Sequence, residues 1–494
     1  MRARRTTISA AAVTTTAFVI TLASLTAVSA QASVTVWKAV RMCAPATATQ
    51  LSCHGMRLVA RQVPASRGFS ARPRATVAAG PSGGYSPAQL AKAYHVNPWS
   101  SAARGITVGI VDAYRAKTIT ADLARFDSHY GLPAETATSY RIVNQRGTTS
   151  LPVANKGWAG EITLDVEAVR GLCHRCKIVL VEADNAMPRN LAKAANQAVA
   201  QGASLVSMSF GGPESQSNAT LAAAYNHPKV AMIAATGDDG YHDWDDINAH
   251  AGVSNKSQIP ASYKTVIGVG GTSLYLNSDG TRSTEQVWNS NGPSDFDGNP
   301  SFGMTAALGA AGSGCSTRNA AQPWQKSVAG YGSLGCARGK RSEVDIAMVA
   351  DPFTGYDIYQ KYPYATGAWS TAGGTSLAAP LIAAMWATAG GPGGVRYPAM
   401  SLYQHFNRTP RSVFDISTGG TGFCSTSTPT YCKRFWGRNP NTLRSGAHVD
   451  CAFPGTGRNA GPIANRYQCY ARKGYDGPTG IGVPNGASVF KPMG

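Results

Sequence analysis

No aspartate or glutamate occurs in this chain before Asp112, and only 14% of its 494 residues are charged. Residues 1–83 carry ten Lys and Arg and no acid, so about half of the formal net charge of +19 lies in one stretch. The rest is mildly basic and lacks a Lys/Arg patch interleaved with aromatics, which argues against nucleic acid as a partner. Beyond the N-terminus no run of ~18 apolar residues occurs, which argues against stable membrane insertion. Cys173-His-Arg-Cys176 has no second Cys-x-x-Cys to complete a zinc site. No internal repeat is present.

What the chain does have begins with "MRARR" and a mild, Thr-rich apolar stretch, "AAVTTTAFVITLASLTAVSA". Small residues suit cleavage after Ala30 or Ala32, so residues 1–32 read as a secretory signal and the protein as extracellular. Ten cysteines in an exported chain imply disulfides. Near neighbours are the expected partners (43–53, 173–176, 315–336, 424–432 and 451–469), with crossings such as 424–451 left open. Residues 33–83 show little hydrophobic periodicity and end in the linker-like "AAGPSGG". They read as a basic prosegment that shields a carboxylate-bearing cleft, ahead of a main domain over 84–494.

From Gly84 onward the pattern becomes regular. Apolar, β-branched runs at 106–114, 177–184, 204–210, 230–237 and 265–272 alternate with helical patterns such as "ITADLARFDSHYG", "NLAKAANQAVAQG" and "NATLAAAYNHP". Buried strands alternating with helices predict an α/β fold, a parallel sheet with helices on both faces. Its active site belongs at the C-terminal ends of the strands, near Asp112, Glu182, Ser209 and Asp238. The Gly/Ser/Asn-rich stretches 280–345 and 415–475 read as long disulfide-bonded loops.

"GGTSLAAP" (373–380) places Ser376 after two glycines and before an apolar helix. Pro380 fits the first turn of a helix, which puts Ser376 at its N-terminus, where free N–H groups favour developing negative charge. A serine hydroxyl needs a base. None of the nine histidines is followed by Gly-Thr, the context in which a subtilisin-like histidine would sit. The helix "GWAGEITLDVEAVRGLC" offers an alternative. On a 100° wheel Thr163, Glu167, Arg170 and His174 form a polar arc read as the solvent face, while Glu161 and Asp165 fall within the apolar arc. Burying unpaired carboxyls is costly unless they share protons with a nucleophile.

"GGTSLAAP", "GEITLD" and "AATGDDG" together resemble the sedolisins, the serine-carboxyl peptidases. The resemblance runs from about residue 84 to the C-terminus and includes "VGIVDAY", "SMSFGG" and "GYDGPTGIGVP". It implies a subtilisin-like fold and protein or peptide substrates. It also implies that Ser376 is the nucleophile, Glu161 its general base and acid, Asp165 the residue that orients Glu161, and Asp238 the oxyanion-hole aspartate. Asp239 stands where the family more often has Ser, adding a negative charge beside the oxyanion site. A Glu base and a protonated Asp donor both suit low pH.

Asp415 and Asp476 lie in Gly-rich loops. Their oxygens suit calcium, and equally suit plain turns. The resemblance implies one structural calcium held by Asp415, Ile416, Arg472, Gly474 and Asp476, with Arg472 in place of a family glycine. The expected protein is a secreted, monomeric acid endopeptidase. The rivals are a Ser-His-Asp subtilase using Asp112, a tripeptidyl exopeptidase, and a catalytically silent binding protein.

Overall fold

The computed structural model describes residues 33–64, 77, 79–215, 218–242, 257–290, 309–421 and 466–493. The signal expected at 1–32 lies outside the described residues, as do Cys424, Cys432 and Cys451.

The expected strands appear as Thr107–Ala113, Lys177–Ala183, Leu205–Met208, Ala231–Ala235 and Ile267–Leu276. Nearly all their side chains are buried, because helices cover the sheet. Tyr140–Asn144 and Ile346–Val349 join them, and Arg282–Val287 closes the edge antiparallel, completing an eight-stranded sheet. The path runs Arg282–Val287, Ile267–Leu276, Ala231–Ala235, Leu205–Met208, Thr107–Ala113, Lys177–Ala183, Tyr140–Asn144. All neighbours except the edge pair are parallel.

The helix Ile119–Tyr130 ends at Gly131 in the left-handed region, and Pro188–Ala200 starts on a proline, as helix termini favour. "NATLAAAYNHP" forms a 3₁₀ helix, Ala219–Tyr225, rather than an α-helix. Disulfides 43–53, 173–176 and 315–336 form as expected.

Two expectations need correction. The helix Lys156–Leu172 has no solvent face. Thr163 and Glu167 are fully buried, and Arg170 is nearly so. The strand Tyr356–Gln360 and the helix Ile119–Tyr130 pack on the side that the wheel assigns to water. There Tyr359 N–H donates to Glu167 at 2.8 Å, and Arg170 pairs with Asp127 and Glu135, each at 2.8 Å. The polar arc is thus matched by partners remote in sequence.

The second correction concerns residues 33–64, which do have regular structure. Ser33–Arg41 and Met56–Pro64 pair antiparallel as a hairpin. Met56 and Arg57 then pair with Gly373 and Ala372, at the end of the strand Ala368–Gly373 that leads into the serine motif. The short strand Ser52–Cys53 pairs with Phe210–Pro213.

Candidate active site

Ser376 is the second residue of the helix Thr375–Thr388 and is fully buried. Pro380 sits in the second turn, not the first. Four residues after Ser376, it has no N–H to offer the Ser376 carbonyl. That carbonyl faces the Ser209 hydroxyl at 3.3 Å instead. Gly374, at φ 96°, makes the approach to Ser376 possible. A Cβ there would lie 2.0 Å from the His54 carbonyl oxygen and 2.5 Å from Asp238 Oδ2. Only glycine fits.

Glu161 and Asp165, on successive turns of Lys156–Leu172, are both fully buried, as Asp112 is at the end of its strand. Ser209 Oγ donates to Asp165 Oδ1 at 2.9 Å. No hydrogen bond of normal geometry reaches either Glu161 oxygen. Burial, reinforced by Asp112, pushes Glu161 well above the usual carboxylate range, while the Ser376 hydroxyl pulls it back. The same two causes, with Glu161 added, raise Asp165. Burial raises Asp112 to about 8. Asp112, Glu161 and Asp165 are therefore three acids close enough to raise one another's proton affinity, with Glu161 the one that faces the Ser376 hydroxyl. Several unpaired carboxylates buried together cost several kcal/mol each, so the set retains and shares protons while keeping at most part of its charge, which leaves a carboxylate able to accept a proton.

Asp238 is fully buried too. Its Oδ1 accepts from Thr375 N–H at 2.7 Å and Thr375 Oγ1 at 2.8 Å, leaving Oδ2 without a partner. Burial holds Asp238 at about 8 despite the Thr375 bonds, so at acid and neutral pH Oδ2 can carry a proton to donate. Thr375 was not singled out from sequence, although it lies inside the serine motif. Asp239, the second acid of "GDDG", forms an ion pair with Arg41 of the hairpin. Its charge is thereby balanced beside the oxyanion site.

Asp415 and Asp476 also meet. The Gly474 N–H faces both Asp415 oxygens at 3.0 and 3.2 Å. Asp476 is fully buried, with its oxygens on the N–H of Arg472 and Thr479. Ile416 is buried next to Asp415 in the chain. Glu182 lies beside Asp112 in the sheet register, with its own contact to Ala116 N–H, and does not reach Ser376 by any hydrogen bond.

Comparison with known proteins agrees with this architecture. The Subtilase family matches residues 153–390. The sedolisin of Pseudomonas sp. (strain 101) is 30% identical over 363 residues, 70% of this chain and 58% of that protein. The chain thus spans less than two thirds of that relative's length. The solved structure of Pseudomonas sedolisin, a serine-carboxyl proteinase complexed with two molecules of pseudo-iodotyrostatin, superposes with a TM-score of 0.60. It is 26% identical, and the match covers 83% of this chain and 98% of that one. Fold and matches define the subtilisin-like class of serine peptidases. Within that class, the relatives it matches in both sequence and structure are sedolisins.

Proposed function

We propose that the chain is a secreted serine-carboxyl endopeptidase that works at acid pH. The observation that supports this best is the placement of Glu161 and Asp165, buried and short of hydrogen-bond donors, around a buried Ser376. Among the described residues His54 is the histidine that reaches the cleft, and its ring lies against Gly211 and Gly237, not between Ser376 and an acid. Asp112 sits beside the carboxyl pair rather than behind an imidazole, which disfavours a Ser-His-Asp arrangement.

In the mechanism, Ser376 Oγ attacks the scissile carbonyl carbon and Glu161 accepts its proton. The Ser376 N–H and the protonated Asp238 Oδ2 donate to the oxyanion. Glu161 returns the proton to the leaving amine, and water cleaves the ester. Asp165, fixed by Ser209, is the neighbouring carboxyl assigned to orient Glu161 and to share its proton. Endopeptidase action is favoured over tripeptide release because chain already passes through this cleft on both sides of Ser376.

Asp415 and Asp476 fit a hard cation: two approaching carboxylates, one fully buried, with no ion pair to either among the described residues. Among these residues no group of three or more His, Cys, Asp or Glu gathers to hold a metal, so backbone carbonyls of Ile416, Arg472 and Gly474 would complete the shell. Calcium would supply structural cross-bracing of the two loops. No helix among the described residues is long and apolar enough to cross a membrane.

The test is hydrolysis of an unstructured peptide by the acid-treated protein from pH 2 to 9. Activity confined to acid pH and lost in Ser376→Ala and Glu161→Gln is expected. An alkaline optimum with Glu161→Gln still active overturns the reading.

A further inference from the structure

Thr375 bridges the start of the helix Thr375–Thr388 and the loop that follows the strand Ala231–Ala235, and it is fully buried. Gly237 N–H donates to Thr375 Oγ1 at 3.0 Å. The hydroxyl donates in turn to Asp238 Oδ1 at 2.8 Å, and Thr375 N–H donates to the same oxygen at 2.7 Å. Neither donor can reverse its role. An amide only donates, and a hydroxyl that accepts from Gly237 has its single proton left for Asp238.

A neutral carboxyl carries its proton on one oxygen. Two donors aimed at Oδ1 leave no place for a proton there, so it sits on Oδ2. Oδ2 lies 2.5 Å from the point a Gly374 Cβ would take, and a backbone carbonyl oxygen, that of His54, lies 2.0 Å from the same point. That carbonyl accepts from Ser376 N–H at 3.4 Å. Oδ2 therefore opens onto the place where a carbonyl oxygen meets the Ser376 amide. The main chain around it is held as well: Gly312 N–H donates to Gly237 O at 2.7 Å, and Ala310 N–H to Asp238 O at 3.0 Å. Rotation of the carboxyl is the freedom that remains, and Thr375 removes it.

We propose that Thr375 is the positioning residue of the oxyanion site, selecting Oδ2 of Asp238 as the oxygen that carries the proton and aiming it at the oxyanion. The proposal rests on the assignment of Ser376 and Asp238 above. Thr375 acts through Asp238, and its bonds have an opposing effect on the proton itself. A donor favours the ionised form of the carboxyl it faces. Burial holds Asp238 at about 8, while Thr375 and then Arg41 pull it down and Asp239 pushes it up. Glu161 also faces this carboxyl, since Asp238 raises it. The His54 ring, 3.7 Å from the point a Gly237 Cβ would take, is lowered to about 4 by burial and is uncharged near pH 8. Removing the Thr375 hydroxyl thus strengthens the hold on the proton while loosening its direction. Rate falls and the alkaline limit rises, a combination that a packing defect does not produce.

The test measures kcat and KM for an unstructured peptide against pH, using the acid-treated full chain. Thr375→Val is expected to lower kcat by about 10–100-fold with KM within about twofold. It should also move the alkaline limb of kcat up by about one pH unit, the loss of one hydrogen bond to a charged group. Thr375→Ser, which keeps the hydroxyl, should stay within about threefold of the parent kcat with the limb unmoved. In an Asp238→Ala background, Thr375→Val should cost less than about twofold more, because the group it acts through is gone. A parent-like kcat in Thr375→Val, a fall in kcat with the limb unmoved, or the full loss repeated in the Asp238→Ala background overturns the proposal and leaves the peptidase assignment standing. A parent chain without acid hydrolysis, or a Ser376→Ala chain that keeps it, overturns the assignment and this inference with it. Where Thr375→Val does not fold, Thr375→Ala against Thr375→Ser carries the same comparison.

Discussion

Two pairs of acids among the described residues are built on opposite plans. Glu161 and Asp165 come from one helix, pressed into packing that gives Glu161 no hydrogen bond of normal geometry and Asp165 only Ser209. Asp415 and Asp476 come from two loops and are wrapped in donors: Gly474, Arg472 and both groups of Thr479. A dry pair starved of donors keeps and trades protons, which suits chemistry. A pair whose carboxylate oxygens already accept from amides is fixed in shape, as a set of hard oxygen ligands has to be. Burial alone therefore does not distinguish a reactive carboxyl; the count of donors around it does.

The sharpest way to break this contrast is to remove the proton-trading pair. Ser376→Ala or Glu161→Gln should lower kcat on an added peptide by about 10⁴-fold or more while leaving the circular dichroism spectrum unchanged. Asp238→Ala should cost about 10²–10³-fold, the loss of one oxyanion donor. Asp238→Asn keeps a donor at every pH. In the parent chain that donor is lost as pH rises through about 8. The substitution should therefore extend the alkaline limb of the rate profile, measured as kcat against pH.

Chelation probes the other pair. Calcium present at ~100 times its Kd adds about 2.7 kcal/mol of stability. EDTA should then lower the melting temperature by about 3 °C, and Asp415→Ala should abolish that response without changing the cleavage chemistry.

The smallest expected effect is on stability against pH. Asp112 and Asp238 are raised to about 8, so their contribution is complete below about 4 and is lost as pH rises through about 8. His54 is lowered to about 4 by burial, so its contribution is present above about 6.5 and is lost as pH falls through about 4. The urea midpoint should fall between pH 5 and pH 8.5, and Asp112→Asn should reduce that fall by on the order of 0.5 M.

Much of this was legible in the sequence because the signals are local. The alternation of β-branched runs with helical patterns announces the sheet, and "GGTSLAAP" announces its own helix. Glu161 and Asp165 stand out because acids in an apolar arc need a reason. What was not legible depends on distant partners. The polar arc through Thr163, Glu167 and Arg170 looked solvated because Tyr359, Asp127 and Glu135 are not neighbours in the chain. The strands Ser33–Arg41 and Met56–Pro64 were not legible within the basic prosegment because their register is set by each other and by Gly373, far along the sequence. Asp239 looked like an unbalanced charge because Arg41, its partner, lies in that same segment.

The bond between Arg41 and Asp239 has one more consequence. Were the hairpin to leave the cleft, the rim of the pocket would lose its guanidinium and present a bare carboxylate to incoming chains. Peptides carrying an arginine or lysine at the matching place would regain the missing partner. The preference of the open cleft would thus be a cast of the segment that fills it.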